Sequence, residues 1–325
     1  MLLSALFSKR QVSGAAPDGM KKLVAIVGPT GIGKSRLALQ LARIYHGEIV
    51  SADSRQVYRY LDIGTAKPTP QEMSMVPHHL VNIIDPDESF SLAQFQEMAD
   101  RALEDIWNRG RIPFFVGGSG LYVRAVLENW QIPRVSPDSQ FRYNIERAAG
   151  TEGTEGLYRQ LEEIDPEAAR KIDPKNLRRI IRALEVHAGT RQQFSRLGSK
   201  KPPIFSSLII GLTTERSSLY RIVDNRIDDM FAGGLVGEVE KLLQMGYDLS
   251  LPAMSGIGYR QVGQYLRGEL SLEAANQKMK TETHRFIRHQ YAWFRLNDER
   301  IRWFDTKDNV QQEIANTIKT FLETE

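Results

Sequence analysis

The chain has 325 residues, 41% hydrophobic and 26% charged, with a net charge of +3; that is the profile of a soluble globular protein with one large or two ordinary domains. It contains no cysteine, which excludes disulfides, thiolate metal sites and a thiol nucleophile, and fits a reducing cytoplasm. No apolar run approaches the ~20 residues that a bilayer span requires, so no membrane association is expected.

Residues 1–20 are expected to be a disordered extension. Leu2, Leu3, Leu6 and Phe7 form too short a run for a signal core, and the basic residues follow it. Met20 stands just before the first strand and is a candidate true start. The apolar run 23–27 then leads into Gly28-Pro29-Thr30-Gly31-Ile32-Gly33-Lys34-Ser35 and the amphipathic stretch 36–42. Strand, glycine-rich turn and helix at the spacing G-x-x-x-x-G-K-S make a phosphate-cradling P-loop. Its glycines let backbone N–H groups turn toward an anion at the positive end of a helix. Lys34 adds a point charge, and the Ser35 hydroxyl suits Mg²⁺. The motif points to a phosphate or diphosphate without saying what carries it.

Residues 48–52 read as a second strand ending at Asp53-Ser54-Arg55-Gln56. Ligands of open parallel sheets sit at the carboxyl ends of strands, which puts Asp53 in the same crevice as the P-loop; the alternative is a carboxylate that only caps a turn. Residues 62–68 form a polar loop, and His78 and His79 point in different directions, as structural or loop residues rather than a metal pair. Leu92, Phe95, Met98, Ala99, Ala102, Leu103 and Ile106 give helical periodicity over 91–109, stopped by Gly110. Residues 112–116 are a buried strand opening into a second glycine turn, Gly117-Gly118-Ser119-Gly120.

From about residue 129 to 201 strand signals vanish, and helices are expected over 138–149, 156–164 and 174–188. This is an inserted helical domain. Ten Lys and Arg lie between Arg170 and Lys201, against only Asp173 and Glu185. Leu177, Ile181, Leu184 and Ala188 form an apolar stripe, while Lys171, Lys175, Arg178, Arg179 and Arg182 recur on another face. So unbalanced a face suits a polyanion. Residues 204–212 return to the sheet. Helices follow over 215–233, with Arg221 and Arg226, and over 235–245. A loop, 255–261, enters another helix. Ser271 caps a long helix reaching about 297, where Lys278, Lys280, His284, Arg285, Arg288, His289 and Arg295 alternate with Phe286, Tyr291, Trp293 and Phe294. Basic residues beside aromatics suit RNA, although each ring alone reads more simply as core. A last strand at 301–304 and a closing helix complete the chain. No internal repeat or low-complexity segment is present.

Taken in order, the P-loop, Ser51-Ala52-Asp53-Ser54-Arg55-Gln56-Val57-Tyr58, Asp62-Ile63-Gly64-Thr65-Ala66-Lys67-Pro68, Pro77-His78-His79-Leu80, Gly117-Gly118-Ser119-Gly120-Leu121-Tyr122, Arg182-Ala183-Leu184-Glu185-Val186 and Gly258-Tyr259-Arg260-Gln261 resemble the tRNA dimethylallyltransferase (tRNA isopentenyltransferase) family, bacterial type. The likeness runs from about Lys22 to the end. The P-loop is generic; the block 62–68 following 53–58 is specific.

The resemblance implies an α/β fold: a P-loop NTPase-like parallel sheet flanked by helices (21–128 and 204–325) with an inserted all-helical tRNA-binding domain (129–203). It implies transfer of a dimethylallyl group from dimethylallyl diphosphate to N6 of adenine 37 in tRNA; apart from the resemblance, a cytoplasmic monomer is expected. Gly28 to Ser35 would hold the donor's diphosphate, with Mg²⁺ on Ser35 and with Arg226. Asp53 matches the acid that takes the proton from N6, while Lys34, Ser35 through Mg²⁺, and Arg226 would stabilise the departing diphosphate. Asp53, Ser54, Arg55 and Gln56, then Ser119, Arg142, Arg178, Arg179, Ile180, Ile181 and Arg182, and finally Gly256, Ile257, Gly258, Tyr259, Arg260 and Gln261, match tRNA-contacting positions. One departure is Ile222, where the family usually carries an arginine. The cysteine-dependent zinc finger of eukaryotic relatives is absent. Three other readings stay open on the residues: a P-loop kinase of a nucleotide or small metabolite, a prenyltransferase of free nucleotides, and a non-catalytic RNA-binding module.

Overall fold

The computed structural model describes residues 20–133, 135, 138–197, 200–308 and 310–324. Apart from Met20, the expected N-terminal extension lies outside them.

The elements run β1 (Lys21–Val27), α1 (Lys34–Ile44), β2 (Glu48–Ser51), α2 (Pro70–Met75), β3 (His78–His79), α3 (Leu92–Asn108), β4 (Pro113–Gly117) and α4 (Gly120–Leu127). Five helices follow: α5 (Ser139–Glu152), α6 (Thr154–Ile164), α7 (Pro166–Lys171), α8 (Leu177–Thr190) and α9 (Phe194–Leu197). The chain then forms β5 (Phe205–Thr213), α10 (Arg216–Ala232), α11 (Leu235–Gln244), a 3₁₀ turn at Pro252–Ser255, α12 (Tyr259–Leu266), α13 (Leu272–Trp293), β6 (Ile301–Asp305) and α14 (Gln311–Glu323).

Six parallel strands pair in the order β3-β2-β4-β1-β5-β6. Leu23 to Val27 are fully buried, as an unbroken apolar run must be when helices cover both faces of a parallel sheet. Val27 pairs with Gly117 on one side and Gly211 on the other. The P-loop and the second glycine turn therefore leave adjacent strands at the same edge, and Asp53 leaves β2 just beyond. This is an α/β doubly wound core with its P-loop at the carboxyl end of the central strand.

Several elements differ from expectation. The two histidines are structural, as half of the expectation has it, but they form edge strand β3 instead of a loop: His79 Nε2 shares a 2.7 Å hydrogen bond with Oε2 of Glu48, a carboxylate buried in β2 that Arg109 also pairs with. Thr69 and Glu72 make a capping box for α2, a helix absent from the sequence reading. Asp165 caps α7, also unforeseen, accepting from Ala168 N at 3.0 Å.

The chain divides into two compact units. The larger takes in the described residues up to Phe90, Met98–Val123 and those from Ile204 onward; the other is Ser91–Glu97 with Arg124–Pro203. The divisions after Glu97 and Val123 fall inside helices α3 and α4, so the long segment of the second unit begins at Arg124 instead of 129. Its core is Leu157, Leu161, Ile172, Ile180, Ala183 and Leu184. The buried face of α8 thus centres on Ile180, Ala183 and Leu184, with Val186 also buried. Ala188, assigned to the apolar stripe from sequence, is exposed.

Candidate active site

In the P-loop, Gly31 has φ +80°, and a Cβ there would lie 2.4 Å from Val223 of α10. Only glycine lets the loop turn this tightly against that helix. Lys34 donates to the Pro29 carbonyl at 2.8 Å. Burial lowers its ammonium to about 7; Asp53 opposes that fall and Arg226 adds to it. Burial likewise lowers Arg226, again opposed by Asp53. Lys34 from α1, Asp53 from the end of β2 and Arg226 from α10 therefore converge in one field. Among the described residues neither cation has an ion pair. Two desolvated cations facing one carboxylate form a site short of negative charge, as a diphosphate acceptor should be.

Asp53 Oδ1 accepts from the N–H of Arg55 at 2.8 Å and of Gln56 at 3.4 Å. It caps its own turn, as the alternative reading has it, and the turn fixes the direction of a carboxylate that lies in the field of Lys34 and Arg226. Ser54 N donates to Ser119 Oγ at 3.2 Å, joining the β2 and β4 turns. Arg55 reaches the 3₁₀ turn, donating to Pro252 O at 2.8 Å and Ser255 Oγ at 3.2 Å. Gln56 Nε2 donates to the carbonyls of Thr65 and Ala66, each at 3.3 Å.

Gln290 is invisible to motif reading. Its Oε1 accepts from Thr30 N at 2.9 Å and its Nε2 donates to Gly118 O at 3.0 Å. A Cβ on Gly118 would sit 2.3 Å from that nitrogen. The buried amide staples the P-loop to the second glycine turn. Thr30's N–H is consequently spent on Gln290 and does not face an anion, contrary to the expectation for the loop. The one available signal is an uncharged polar residue amid the basic and aromatic ones of α13.

The segment 256–261 turns mostly inward. Tyr259 and Gln261 are buried; Gln261 Oε1 accepts from Gly258 N at 2.7 Å, and its Nε2 donates to Glu282 at 2.7 Å. Their side chains shape the segment, while Arg260, paired with Glu282, is exposed. Ile257 and Arg260 line a groove of about 540 Å³ with Lys278, Arg285, Phe286 and His289. Of the four α13-region rings only Phe286 is exposed; Phe294 is core, and Tyr291 and Trp293 are partly buried.

In the helical unit the basic residues divide. Arg142 donates to both oxygens of Glu185 at 2.8 and 2.9 Å, and Arg182 donates to Glu185 at 2.6 Å and to Val135 O at 3.0 Å. Glu185 is 3% exposed. Burial would raise its carboxyl, but hydrogen bonds from the two arginines outweigh that and hold it below its usual range. Ile180 and Ile181 are also buried, so in this structure their side chains serve packing and not an outward contact. Lys175, Arg178 and Arg179 are exposed. Ile222, one turn before Arg226 on α10, is exposed as well. Among the described residues no helix is long and apolar enough to cross a membrane.

The family model described as IPP transferase matches residues 56–297, and that for isopentenyl transferase matches 21–81. A tRNA dimethylallyltransferase of Roseiflexus sp. (strain RS-1) is 48% identical over 304 residues, 94% of this chain and 100% of that protein. One from Roseiflexus castenholzii is 52% identical over 276 residues, 85% of this chain and 90% of the relative. Among solved structures, the tRNA isopentenylpyrophosphate transferase of Bacillus halodurans superposes with TM-score 0.69 at 41% identity, covering 94% of this chain and 97% of its own. A eukaryotic dimethylallyltransferase captured acting on tRNA gives TM-score 0.78 at 28% identity, covering 93% and 78%.

Proposed function

The chain belongs to the IPP transferase family, and from that premise we propose that it transfers a dimethylallyl group from dimethylallyl diphosphate to N6 of adenosine 37, beside the anticodon of tRNA, releasing diphosphate. The observation that carries the reading is the convergence of Lys34, Arg226 and Asp53 at the carboxyl end of the sheet. A kinase reading, open on the P-loop alone, has no support among the relatives.

The exocyclic amine of adenine is a weak nucleophile because its lone pair is delocalised into the ring. The allylic C1 compensates by tolerating positive charge. As the N6 lone pair forms the new bond to C1, the C1–O bond breaks and its electrons leave with diphosphate. Lys34, Arg226 and the loop N–H groups other than that of Thr30 stabilise that departing charge. The N6 proton passes to Asp53, whose direction the 53–56 turn has already set. The acceptor base must leave its stack to reach this site; Ser54, Arg55, Gln56 and Ser119 lie around Asp53 to receive it. Arg178, Arg179 and Arg260 offer exposed charge to the RNA backbone, whereas Arg142, Arg182, Ile180, Ile181, Tyr259 and Gln261 support those surfaces from within.

Mg²⁺ fits the same cradle. The Ser35 hydroxyl is exposed at the head of α1, and no set of three His, Asp or Glu residues able to hold a metal exists among the described residues. Ser35 would hold the ion together with oxygens of the ligand, as Mg²⁺ commonly does with phosphates. Bound there, it would neutralise diphosphate charge.

The test is positional. Purified chain, donor labelled in its allyl group and unmodified tRNA should give labelled RNA; tRNA with guanosine at position 37, and AMP alone, should stay unlabelled. Label on AMP, or on the substituted tRNA, contradicts the reading. The same reading takes the enzyme as a cytoplasmic monomer; sedimentation equilibrium should return the mass of one chain.

A further inference from the structure

Glu238 sits on α11, outside every segment assigned above to donor or acceptor. Its Oε2 accepts from the backbone N–H of Asp62 at 3.0 Å and of Ile63 at 2.7 Å. Its Oε1 accepts from the N–H of Gly64 at 3.2 Å and the hydroxyl of Tyr259 at 2.6 Å. Four donors from two segments distant in sequence thus meet on one carboxylate. The segments also touch each other: a Cβ on Gly64 would lie 2.6 Å from the Tyr259 ring, so the loop lies flat on that ring only because residue 64 has no side chain.

Each segment holds one flank of the Asp53 turn. On one side the Thr65 and Ala66 carbonyls receive Gln56. That loop is tied down again by Lys67, whose Nζ donates to Tyr58 O at 2.8 Å and to Asp62 Oδ1 and Asn82 Oδ1 at 2.6 Å each. On the other side Arg55 grips the 3₁₀ turn that leads into Tyr259. The N–H groups of Arg55 and Gln56 then close on Asp53. Contacts spread from Glu238 along two routes and rejoin at the carboxylate assigned the proton.

We propose that Glu238 is a positioning residue for Asp53: it locks the 62–66 loop and the start of α12 into the arrangement that aims the 53–56 turn at the acceptor base. The inference rests on the reading of Asp53 as base. The chemistry demands a carboxylate, because an ionised carboxylate is acceptor-only. A glutamine would turn its NH₂ against N–H or O–H donors, and an aspartate would fall one methylene short of the loop.

The experiment compares wild type, Glu238→Gln and Tyr259→Phe in the full chain. Single-turnover transfer, inorganic diphosphate binding, thermal unfolding and amide hydrogen exchange are measured for each. In E238Q the transfer rate should fall about 10- to 100-fold, the scale of a reacting group misaimed by about an ångström. Diphosphate affinity should stay within about twofold, since the P-loop is held elsewhere, by Gln290. Tyr259→Phe, which removes one donor of four, should lose less. Amides 54–56 should exchange faster in E238Q, and this readout does not depend on where the dimethylallyl group goes. If wild type transfers nothing to tRNA, the reading of the reaction falls while faster exchange at 54–56 still supports Glu238's hold. Unchanged exchange there overturns the inference. So does a rate loss matched by equal loss of diphosphate binding and a lowered melting point, which would make Glu238 a general stabiliser.

Discussion

At the carboxyl end of the sheet two cations, Lys34 and Arg226, share the field of one half-buried carboxylate, Asp53. In the helical unit two cations, Arg142 and Arg182, also share one carboxylate, Glu185, but they grip it at 2.6–2.9 Å and bury it. The second trio spends its charge on holding α5 to α8, whereas Lys34 and Arg226 have no ion pair among the described residues. What separates them is not residue type but whether the acid sits within hydrogen-bond reach. A locked ion pair builds structure, and a loosely shared one leaves a site.

The largest effect is expected at Lys34. Lys34→Ala should slow single-turnover transfer by about 10²–10³-fold, the usual scale for one preorganised charge donor, with tRNA binding kept. Equal loss of tRNA binding would mean the two regions do not divide the labour in this way.

The matching change in the helical unit should cost stability rather than rate. Replacing Arg142 and Arg182 together by alanine strands Glu185. Breaking a buried pair costs about 3–5 kcal/mol, and the partial exposure of both arginines puts this case toward the lower figure. Because the arginines hold Glu185 below its ordinary value, this stabilisation is present above that ordinary value and is lost as pH falls through the folded one. Urea unfolding of wild type and variant should therefore differ at pH 7 and converge in acid.

Lys34 gives the sheet region a pH signature of its own. With its folded value lowered to about 7 by burial, Lys34 loses its proton above that pH, and binding of a diphosphate must restore it. Donor affinity should weaken about tenfold per pH unit above 7, with one proton taken up on binding. Titration calorimetry in buffers of different ionisation enthalpy measures both, and Lys34→Ala should flatten the slope.

The smallest effect is expected at the exposed arginines. Arg178→Gln with Arg179→Gln should weaken tRNA binding a few-fold. The slope of log affinity against log salt should flatten by about 0.7–0.9 for each phosphate no longer neutralised. Adding Arg182 to that set would mix in the Glu185 defect and blur the comparison.

These contrasts also show what a sequence can carry. The P-loop, the strand-end Asp53 and the alternation of strands and helices are local patterns, and each sits where its pattern places it. Thr69-x-x-Glu72 with Pro70 is equally local, a capping signal for α2 obscured by the polar loop it follows. The count of ten cations near α8 could not reveal that Arg182 turns inward, nor that Arg142, from a different helix, joins it, because pairing on Glu185 is a property of packing. Gln290 and Glu238 are hidden for the same reason. Each works through backbone groups of segments far away in the chain, 260 residues apart for Gln290 and Thr30, and backbone donors leave no mark in a motif.

One measurement bears on the central chemistry most directly. Dimethylallyl diphosphate labelled with carbon in its allyl group and phosphorus in its diphosphate is given to the enzyme with unmodified tRNA. Carbon label should enter the RNA and all phosphorus label should be released as diphosphate, in equal amounts. Phosphorus label carried to any acceptor, or RNA that gains no carbon label while the donor is consumed, contradicts that chemistry.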